Sequence, residues 1–211
     1  MTLLPFKPCK NIGLYPIVDS SAWLEQLLPQ GVRCIQLRIK EGSMEQLKAE
    51  IKHSIALAKK YGAILFINDH WELAIDLGAD GVHLGQEDLI EANIQHIQQA
   101  GLYLGLSAYS DLEVIQAKTL NPSYIACGPV YATTSKNMPV PPQGLVQLQA
   151  WRNLISCPMV AIGGINLERL PDILKIGLEG IALISAITEA DNPIVATQQF
   201  LAAMKTLIRS A

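Results

Sequence analysis

The sequence has no hydrophobic run of the ~20 residues that a membrane-spanning helix needs. Its amino-terminal segment, residues 1–11, lacks the basic start, the long apolar stretch and the small-residue cleavage site of a secretory signal. The 4 cysteines lie far apart and form no Cys-x-x-Cys pair that could hold zinc or carry out redox chemistry. We therefore expect a cytoplasmic protein with reduced thiols and no membrane partner.

The chain also lacks a basic block. Its 16 Lys and Arg residues against 19 Asp and Glu residues give a net charge of −3, whereas a nucleic-acid binder normally carries a positive surface. Hydrophobic residues make up 50% of the 211 residues and charged residues only 17%, which excludes disordered and low-complexity classes. One domain with a large core, spanning residues 1–211, is the expectation.

Short apolar runs rich in β-branched residues alternate with longer amphipathic segments along the whole chain. This alternation predicts parallel strands covered by helices, and eight such units predict a closed (β/α)8 TIM barrel, with residues 1–12 as an N-terminal arm or closing segment. A doubly wound open sheet is the alternative. The predicted strands are residues 14–18, 34–39, 63–67, 81–84, 103–106, 124–127, 159–162 and 181–184.

Small or polar residues follow every predicted strand. In a barrel of this type the active site lies at the carboxyl ends of the strands, so these residues predict a functional site there. They are Asp19, Arg38, Lys40, Asn68, Asp69, Gln86, Asp88, Ser107, the segment 133–136, Gly163, Gly164 and Ser185.

The second predicted strand carries cations on one face. Gln36, Arg38 and Lys40 alternate with apolar residues, and the apolar face must meet the helices, so the polar row points into the barrel mouth. Two cations there indicate an anionic ligand. The alternative is that Arg38 forms an internal ion pair and Lys40 reaches solvent.

Asp69 and Asp88 follow the third and fourth predicted strands, so their carboxylates could meet. Mg²⁺ prefers oxygen ligands and is typically held by one or two carboxylates together with phosphate oxygens. A magnesium site and simple capping of the helices that follow are both open readings of these two residues. His83 is the histidine inside a predicted strand, where a hydrogen-bonded core position is more common than direct chemistry.

Glycines after the seventh strand predict a phosphate site. Gly163 and Gly164 follow it, Ser185 follows the eighth, and in this fold those two loops frequently hold a phosphate monoester. A tight turn is the alternative explanation for the glycine pair. The long loop 128–144 carries hydroxyl side chains and Lys136, which is typical of a binding loop over a barrel mouth.

Ordered motifs along nearly the whole chain resemble those of the thiamin-phosphate synthase family, also called thiamin-phosphate pyrophosphorylases. They are GLYPIVDS (13–20), QLRIK (36–40), FINDHWELAIDLGADGVHLGQEDL (66–89), GLSAYSDLE (105–113), PSYIACGPVYATTSK (122–136), PQGL (142–145), VAIGGI (160–165) and ALISAI (182–187). Each motif alone is modest, but the ordered set is specific.

The resemblance implies a (β/α)8 transferase of thiamine biosynthesis. Such an enzyme joins 4-amino-2-methyl-5-hydroxymethylpyrimidine diphosphate to 4-methyl-5-(2-phosphooxyethyl)thiazole, or its carboxylated form, and releases pyrophosphate with one Mg²⁺ as cofactor. The implied pyrimidine diphosphate residues are Gln36, Arg38, Lys40, Asn68, Ser107 and Lys136, of which Arg38, Lys40, Ser107 and Lys136 are the implied catalytic residues. The implied metal ligands are Asp69 and Asp88, and the implied thiazole phosphate residues are Thr133, Thr134, Ser135, Gly164, Ile184 and Ser185.

The chain departs from the family pattern at two positions. Ser135 stands where a threonine is usual, which keeps a hydroxyl, and Tyr109 stands where a histidine is usual. Tyr109 cannot act as a base at neutral pH, which disfavours a related thiazole tautomerase that would use that histidine.

Three alternatives remain at the level of sequence. They are the tautomerase, a lyase or aldolase that uses Lys40 as a Schiff-base amine, and a non-catalytic barrel that binds a phosphorylated ligand. Small-molecule substrates are the expected partners, and a homodimer is an assembly that the sequence leaves open.

Overall fold

The parallel strands form a closed barrel in sequence order, with β1 pairing to β8. This computed structural model describes residues 4–133 and 140–209, with side chains through residue 205. The architecture confirms the predicted (β/α)8 barrel. The strands are β1 (Gly13–Val18), β2 (Cys34–Leu37), β3 (Ile64–Asn68), β4 (Gly81–Leu84), β5 (Tyr103–Ala108), β6 (Tyr124–Cys127), β7 (Met159–Ile162) and β8 (Gly180–Leu183).

Helices connect the strands and cover the outside of the barrel. Along the described residues they are α1 (Ser21–Leu27), α2 (Met44–Tyr61), α3 (Trp71–Leu77), α4 (Gln86–Glu91), α5 (Ile94–Gln99), α6 (Asp111–Thr119), α7 (Gly144–Leu154), α8 (Leu170–Leu174), α9 (Ser185–Thr188) and α10 (Pro193–Arg209), with a 3₁₀ turn at Leu28–Gln30. None of the helices in this part of the chain is long and apolar enough to cross a lipid bilayer.

Alternation along the strands separates two apolar clusters. Outward-facing residues such as Leu37 and Leu104 pack against the helices, whereas inward-facing residues such as Tyr15, Phe66 and Tyr124 fill the barrel interior. In β2 the polar Gln36 faces inward and is 1% exposed, as the predicted alternation requires. The interior is therefore a packed core with polar groups toward one end.

Two aromatic rings in the barrel interior occupy space that is open only because a glycine faces them from the neighbouring strand. A Cβ at Gly81 would lie 2.6 Å from the Phe66 ring, and a Cβ at Gly105 would overlap the Tyr124 ring. Small and large inward residues thus interdigitate around the barrel, which fixes where each ring lies.

The segment before β1 packs against the interior cluster of the barrel. Cys9 and Ile12 are buried in the interior cluster, and the Cys9 N–H donates to the Ser123 carbonyl at 3.0 Å. The Phe6 N–H donates to the Asn121 carbonyl at 2.9 Å. The arm therefore runs beside the loop before β6.

Two strand ends differ from the predicted ones in ways that matter for the site. The second strand ends at Leu37 instead of residue 39, so Arg38 and Lys40 belong to the loop that follows it. The fifth strand extends to Ala108, which places Ser107 inside the strand on its inward face. Ser107 and Ala108 still pair with β6 although the apolar run ends before them. A strand prediction based on apolar residues alone therefore makes β5 too short.

Candidate active site

A cavity of about 320 Å³ opens at the carboxyl ends of the strands. It lies where side chains from many strands and loops converge, which is the position expected in a barrel of this type. The predicted site residues that line it are Gln36, Arg38, Asn68, Asp69, Asp88, Ser107, Thr133, Gly164, Ile184 and Ser185. The structure therefore brings together both halves of the predicted site.

Lys40 lies apart from this set. It is exposed and lines an adjoining groove of about 710 Å³ between the loops after β1 and β2. Arg38 lines both the cavity and the groove, so the two spaces meet at its side chain. The predicted residues Thr134, Ser135 and Lys136 lie outside the described residues.

Asp69 and Asp88 form an acidic pair at the cavity wall. The pKa of Asp69 is raised to about 6, because burial disfavours its charged form and because the Asp88 carboxylate adds negative charge and a hydrogen bond. The charge of Arg38 and a hydrogen bond from the Asn68 side-chain amide act in the opposite direction. The two carboxylates therefore lie close enough together to interact, as the donors of one shared cation would.

The capping interpretation of these two aspartates is not what the structure shows. Helix α3 begins at Trp71 with His70 at its N-cap, and α4 begins at Gln86 with Gly85 at its N-cap. Neither cap position is an aspartate, and Asp69 itself has a left-handed backbone with φ of 63°. That conformation turns the chain sharply after β3 and directs the carboxylate into the cavity.

Ser107 is held from two sides at the floor of the cavity. Its hydroxyl lies 2.9 Å from Nε2 of His83 on the neighbouring strand, and its carbonyl accepts a hydrogen bond from the Gln86 side chain. His83 is 6% exposed and also lines the cavity. The expected core role of His83 is correct for its hydrogen bonding, but the residue faces the ligand space as well.

The opposite wall is built by the glycine pair and the loop after β6. Gly163 and Gly164 have φ angles of 101° and 62°, and a Cβ at Gly164 would overlap the Ala132 carbonyl. The Tyr131 N–H donates to the Gly163 carbonyl at 3.0 Å, which continues the pairing of the two strands into their loops. Only residues without side chains let these backbones approach so closely beside the cavity.

Three polar cavity residues were not chosen from the sequence as binding residues: His83, Glu87 and Tyr109. His83 could have been found from strand alternation, since it pairs with Asn68 and both face inward. Glu87 lies in the first turn of α4, one residue before Asp88, and nothing in a linear pattern distinguishes it from a solvent-exposed acid.

Comparison with known proteins identifies a consistent group of relatives. A sequence model of the family described as "Thiamine monophosphate synthase" matches residues 14–187. A protein named thiamine-phosphate synthase from Photorhabdus laumondii subsp. laumondii is 50% identical over 199 residues, covering 93% of this chain and 92% of that protein. One of the same name from Salmonella paratyphi B is 51% identical over 200 residues, covering 94% and 93%.

Solved structures agree with the sequence relatives. A thiamine phosphate pyrophosphorylase from Pyrococcus furiosus superposes with a TM-score of 0.83 at 30% identity, covering 94% of this chain and 98% of that one. A 3-hexulose-6-phosphate synthase from Salmonella typhimurium reaches a TM-score of 0.69 at 17% identity, covering 92% and 99%, and shares the fold alone.

Proposed function

Because the chain belongs to the thiamine monophosphate synthase family, and is therefore a transferase that forms thiamine phosphate, we propose how its cavity carries out that reaction. The pyrimidine diphosphate binds beside Gln36, Arg38 and Asn68, and the thiazole phosphate binds against the opposite wall. The new bond joins the thiazole nitrogen to the pyrimidine methylene carbon, and pyrophosphate leaves. The gathering of both sets of residues around one cavity is the observation that carries this proposal.

The difficult part of the reaction is the departure of the diphosphate. The electron-rich aminopyrimidine can stabilise the cation left on its methylene carbon, so a dissociative path needs no nucleophile from the protein. Arg38 at the junction of cavity and groove would neutralise charge that develops on the leaving group, assisted by Lys40 from the groove and by Lys136. Because Lys40 lies in the groove, it would contact the outer phosphate of the diphosphate rather than the pyrimidine ring.

Asp69 and Asp88 would hold Mg²⁺. The residues fit the ion because both donors are hard carboxylate oxygens and because the two carboxylates lie close enough to interact at the cavity wall. The ion would take its remaining ligands from phosphate oxygens and water. When bound, Mg²⁺ supplies charge neutralisation at the leaving diphosphate.

The thiazole phosphate would occupy the wall formed by Thr133, Gly164, Ile184 and Ser185. We propose Thr134 and Ser135, which lie outside the described residues, as further phosphate-binding residues. The glycine pair lets the loop after β7 pack tightly against the loop after β6, and backbone N–H groups of this wall would donate to the phosphate oxygens. Anchoring this phosphate would hold the thiazole nitrogen toward the pyrimidine and replace a bimolecular encounter with a preoriented one.

The test is pyrophosphate release by the purified protein with both substrates and Mg²⁺, compared with reactions that omit one component each. Release that needs all three, with thiamine phosphate as co-product, supports the proposal. A folded protein that binds the thiazole phosphate but releases no pyrophosphate would contradict it and favour a binding barrel or a tautomerase. A homodimer and a cytoplasmic location stay predictions, to be checked by light scattering and by cell fractionation.

A further inference from the structure

A continuous line of side chains crosses the barrel interior beneath the cavity. The Gln36 side-chain Nε2 donates to the Tyr15 hydroxyl at 3.0 Å, and that hydroxyl lies 2.7 Å from the Tyr124 hydroxyl. The Tyr124 hydroxyl lies 2.7 Å from Nδ1 of His83, whose Nε2 lies 2.9 Å from the Ser107 hydroxyl. The two ends of this line, Gln36 and Ser107, both line the cavity, so we call the five side chains the interior chain.

The number of protons that each group can donate indicates which atom is the donor in each hydrogen bond of the interior chain. The amide nitrogen of Gln36 can only donate, so the Tyr15 oxygen accepts there. The single proton of Tyr15 then has the Tyr124 oxygen, 2.7 Å away, as its acceptor. The proton of Tyr124 then goes to Nδ1 of His83, which must be unprotonated to accept it. A neutral imidazole that accepts at Nδ1 carries its proton at Nε2 and donates to Ser107.

Tyr15 and Tyr124 are buried, so water does not compete for the hydrogen bonds of their hydroxyls. Tyr15 is 1% exposed and Tyr124 is 0% exposed. Burial raises the pKa of both phenols well above the usual value, so both hydroxyls keep the protons that the count requires. An imidazolium at His83 would donate from both nitrogens and leave one buried hydroxyl proton without an acceptor, which is costly.

Packing fixes the rings that carry these hydroxyls. The Tyr124 ring stacks on the His83 imidazole with an interplanar angle of 20° and meets the Tyr15 ring edge-on with a centroid distance of 5.7 Å. A third ring, that of Phe66, contacts Tyr124 edge-on at 5.1 Å. The hydroxyls therefore cannot turn away without disturbing the core.

We propose that Tyr15 and Tyr124 are positioning residues, which hold the proton of His83 on Nε2 and thereby make the Ser107 hydroxyl a hydrogen-bond donor to the substrate. Once Ser107 accepts from His83, its own proton is the one left to point into the cavity. The inference rests on the proposed function in one respect, since a diphosphate offers only acceptor oxygens and is matched by a donor. Neither phenol needs to touch the substrate.

The first experiment reads the tautomer directly. Nitrogen-15 NMR of the wild-type protein, with labelled histidine rings, reports which nitrogen of each imidazole carries a proton, and a His83→Gln variant assigns the His83 signals. We expect the proton on Nε2. A proton on Nδ1, or on both nitrogens, would overturn the proposal whatever the enzyme's activity is.

The second experiment asks whether Tyr124 acts through Ser107. Loss of one preoriented donor to a charged group predicts that Tyr124→Phe and Ser107→Ala each lower kcat by about tenfold to hundredfold. KM for the pyrimidine diphosphate should change little with Tyr124→Phe, because the phenol does not reach the ligand. In the double variant Tyr124→Phe should cost nothing further, since its effect is already lost with Ser107.

Additive effects in that cycle would show that Tyr124 acts by another route and would overturn the proposal. If Tyr124→Phe fails to fold, Tyr15→Phe takes its place, because it removes the hydroxyl that directs the Tyr124 proton toward His83. The matched control is Tyr103→Phe, which removes a phenol hydroxyl from a ring 6.2 Å from Phe66 but outside the interior chain, and which should leave kcat unchanged. A wild type that forms no thiamine phosphate refutes the proposed function, while the NMR result still decides the tautomer.

Discussion

The Tyr124 ring lies against the backbone of Gly105 on the neighbouring strand, so closely that a Cβ on Gly105 would overlap the ring and its hydroxyl. The contact ties the position of His83, which lines the cavity, to a glycine that has no side chain of its own. The His83 imidazole stacks on the Tyr124 ring, so a shift of the tyrosine ring would also move His83. The stability of the core and the geometry of the site therefore share one contact.

Gly105→Ala should reduce both stability and turnover. The added methyl must displace the Tyr124 ring, and overpacking of this kind costs about 1–3 kcal/mol. Urea unfolding measures the stability loss, and kcat at a temperature where the variant is folded measures the effect on the site. Gly78→Ala is the control: its φ of 74° is strained for alanine, but its Cβ meets open space, so stability should fall while kcat does not. Full kcat in Gly105→Ala would contradict the prediction.

Asp69→Asn should make the ion-free protein more stable at pH 7. The pKa of Asp69 is raised to about 6 in the folded chain, against roughly 3.9 in the unfolded chain. The folded state therefore binds the Asp69 proton more tightly than the unfolded state does. The stability that this proton contributes is fully present below about pH 4 and is lost as the pH rises through about 6. In EDTA, thermal unfolding should show a higher Tm for Asp69→Asn at pH 7 and a smaller difference at pH 4. An equal difference at the two pH values would contradict the raised pKa. The control is Asp172→Asn, an exposed carboxylate paired with Lys175.

Asp88→Ala should raise the magnesium requirement of the reaction. If Asp69 and Asp88 hold Mg²⁺ as proposed, removal of one carboxylate weakens binding of the ion, so the activity curve should shift to higher Mg²⁺ concentration by about tenfold or more. Titration of pyrophosphate release against Mg²⁺ measures the shift. Superimposable curves for the variant and the parent would remove Asp88 from the metal site.

Arg38→Ala should lower kcat by about 10²–10³ if the guanidinium acts as one preorganised donor to the leaving group. The matched control is Arg33→Ala, since Arg33 precedes the strand that Arg38 follows and lies at the opposite end of the barrel. Arg38→Lys should recover part of the loss, because it keeps the charge without the two-pronged geometry. Steady-state kinetics with saturating substrates measures all three, and an unchanged kcat in Arg38→Ala would exclude the role.

Gly164→Ala should raise KM for the thiazole phosphate more than KM for the pyrimidine diphosphate. The methyl would overlap the Ala132 carbonyl and push apart the two loops that form this wall. Separate KM measurements for the two substrates give the result, and equal rises would argue against a thiazole phosphate site here. Gly177→Ala has a similar φ of 75° with open space around its Cβ, and it should change neither KM.

Much of the fold follows from the sequence because the signal is local. The strands Gly81–Leu84, Tyr124–Cys127 and Met159–Ile162 have the predicted bounds, since each is a short apolar run between polar turns. Inward and outward faces of β2 also follow from alternation, which places Gln36 correctly. The (β/α)8 barrel then brings the strand ends together without further information.

The parts of the site that could not be predicted depend on distant residues. Tyr15 and Tyr124 are separated by 109 positions in sequence, and only the closed barrel brings their hydroxyls within 2.7 Å. Lys40 was predicted on the inward face of a longer β2, but the strand ends before it and the side chain lies in the adjoining groove. Where regular pairing stops is decided by tertiary contacts, which alternation in a single strand does not contain.

The pairing of β1 with β8, which closes the barrel, can form only after β8 has been synthesised. The first strand pairs on one side with Gly180–Leu183, which the ribosome makes after the other seven strands. Until then β1 presents an open edge, and so does each newest strand. The β1–β8 pairing has the longest sequence separation of the eight strand pairings, so we expect barrel closure to come late in folding. A chain that stops before Gly180 would keep two exposed edges and be prone to aggregate.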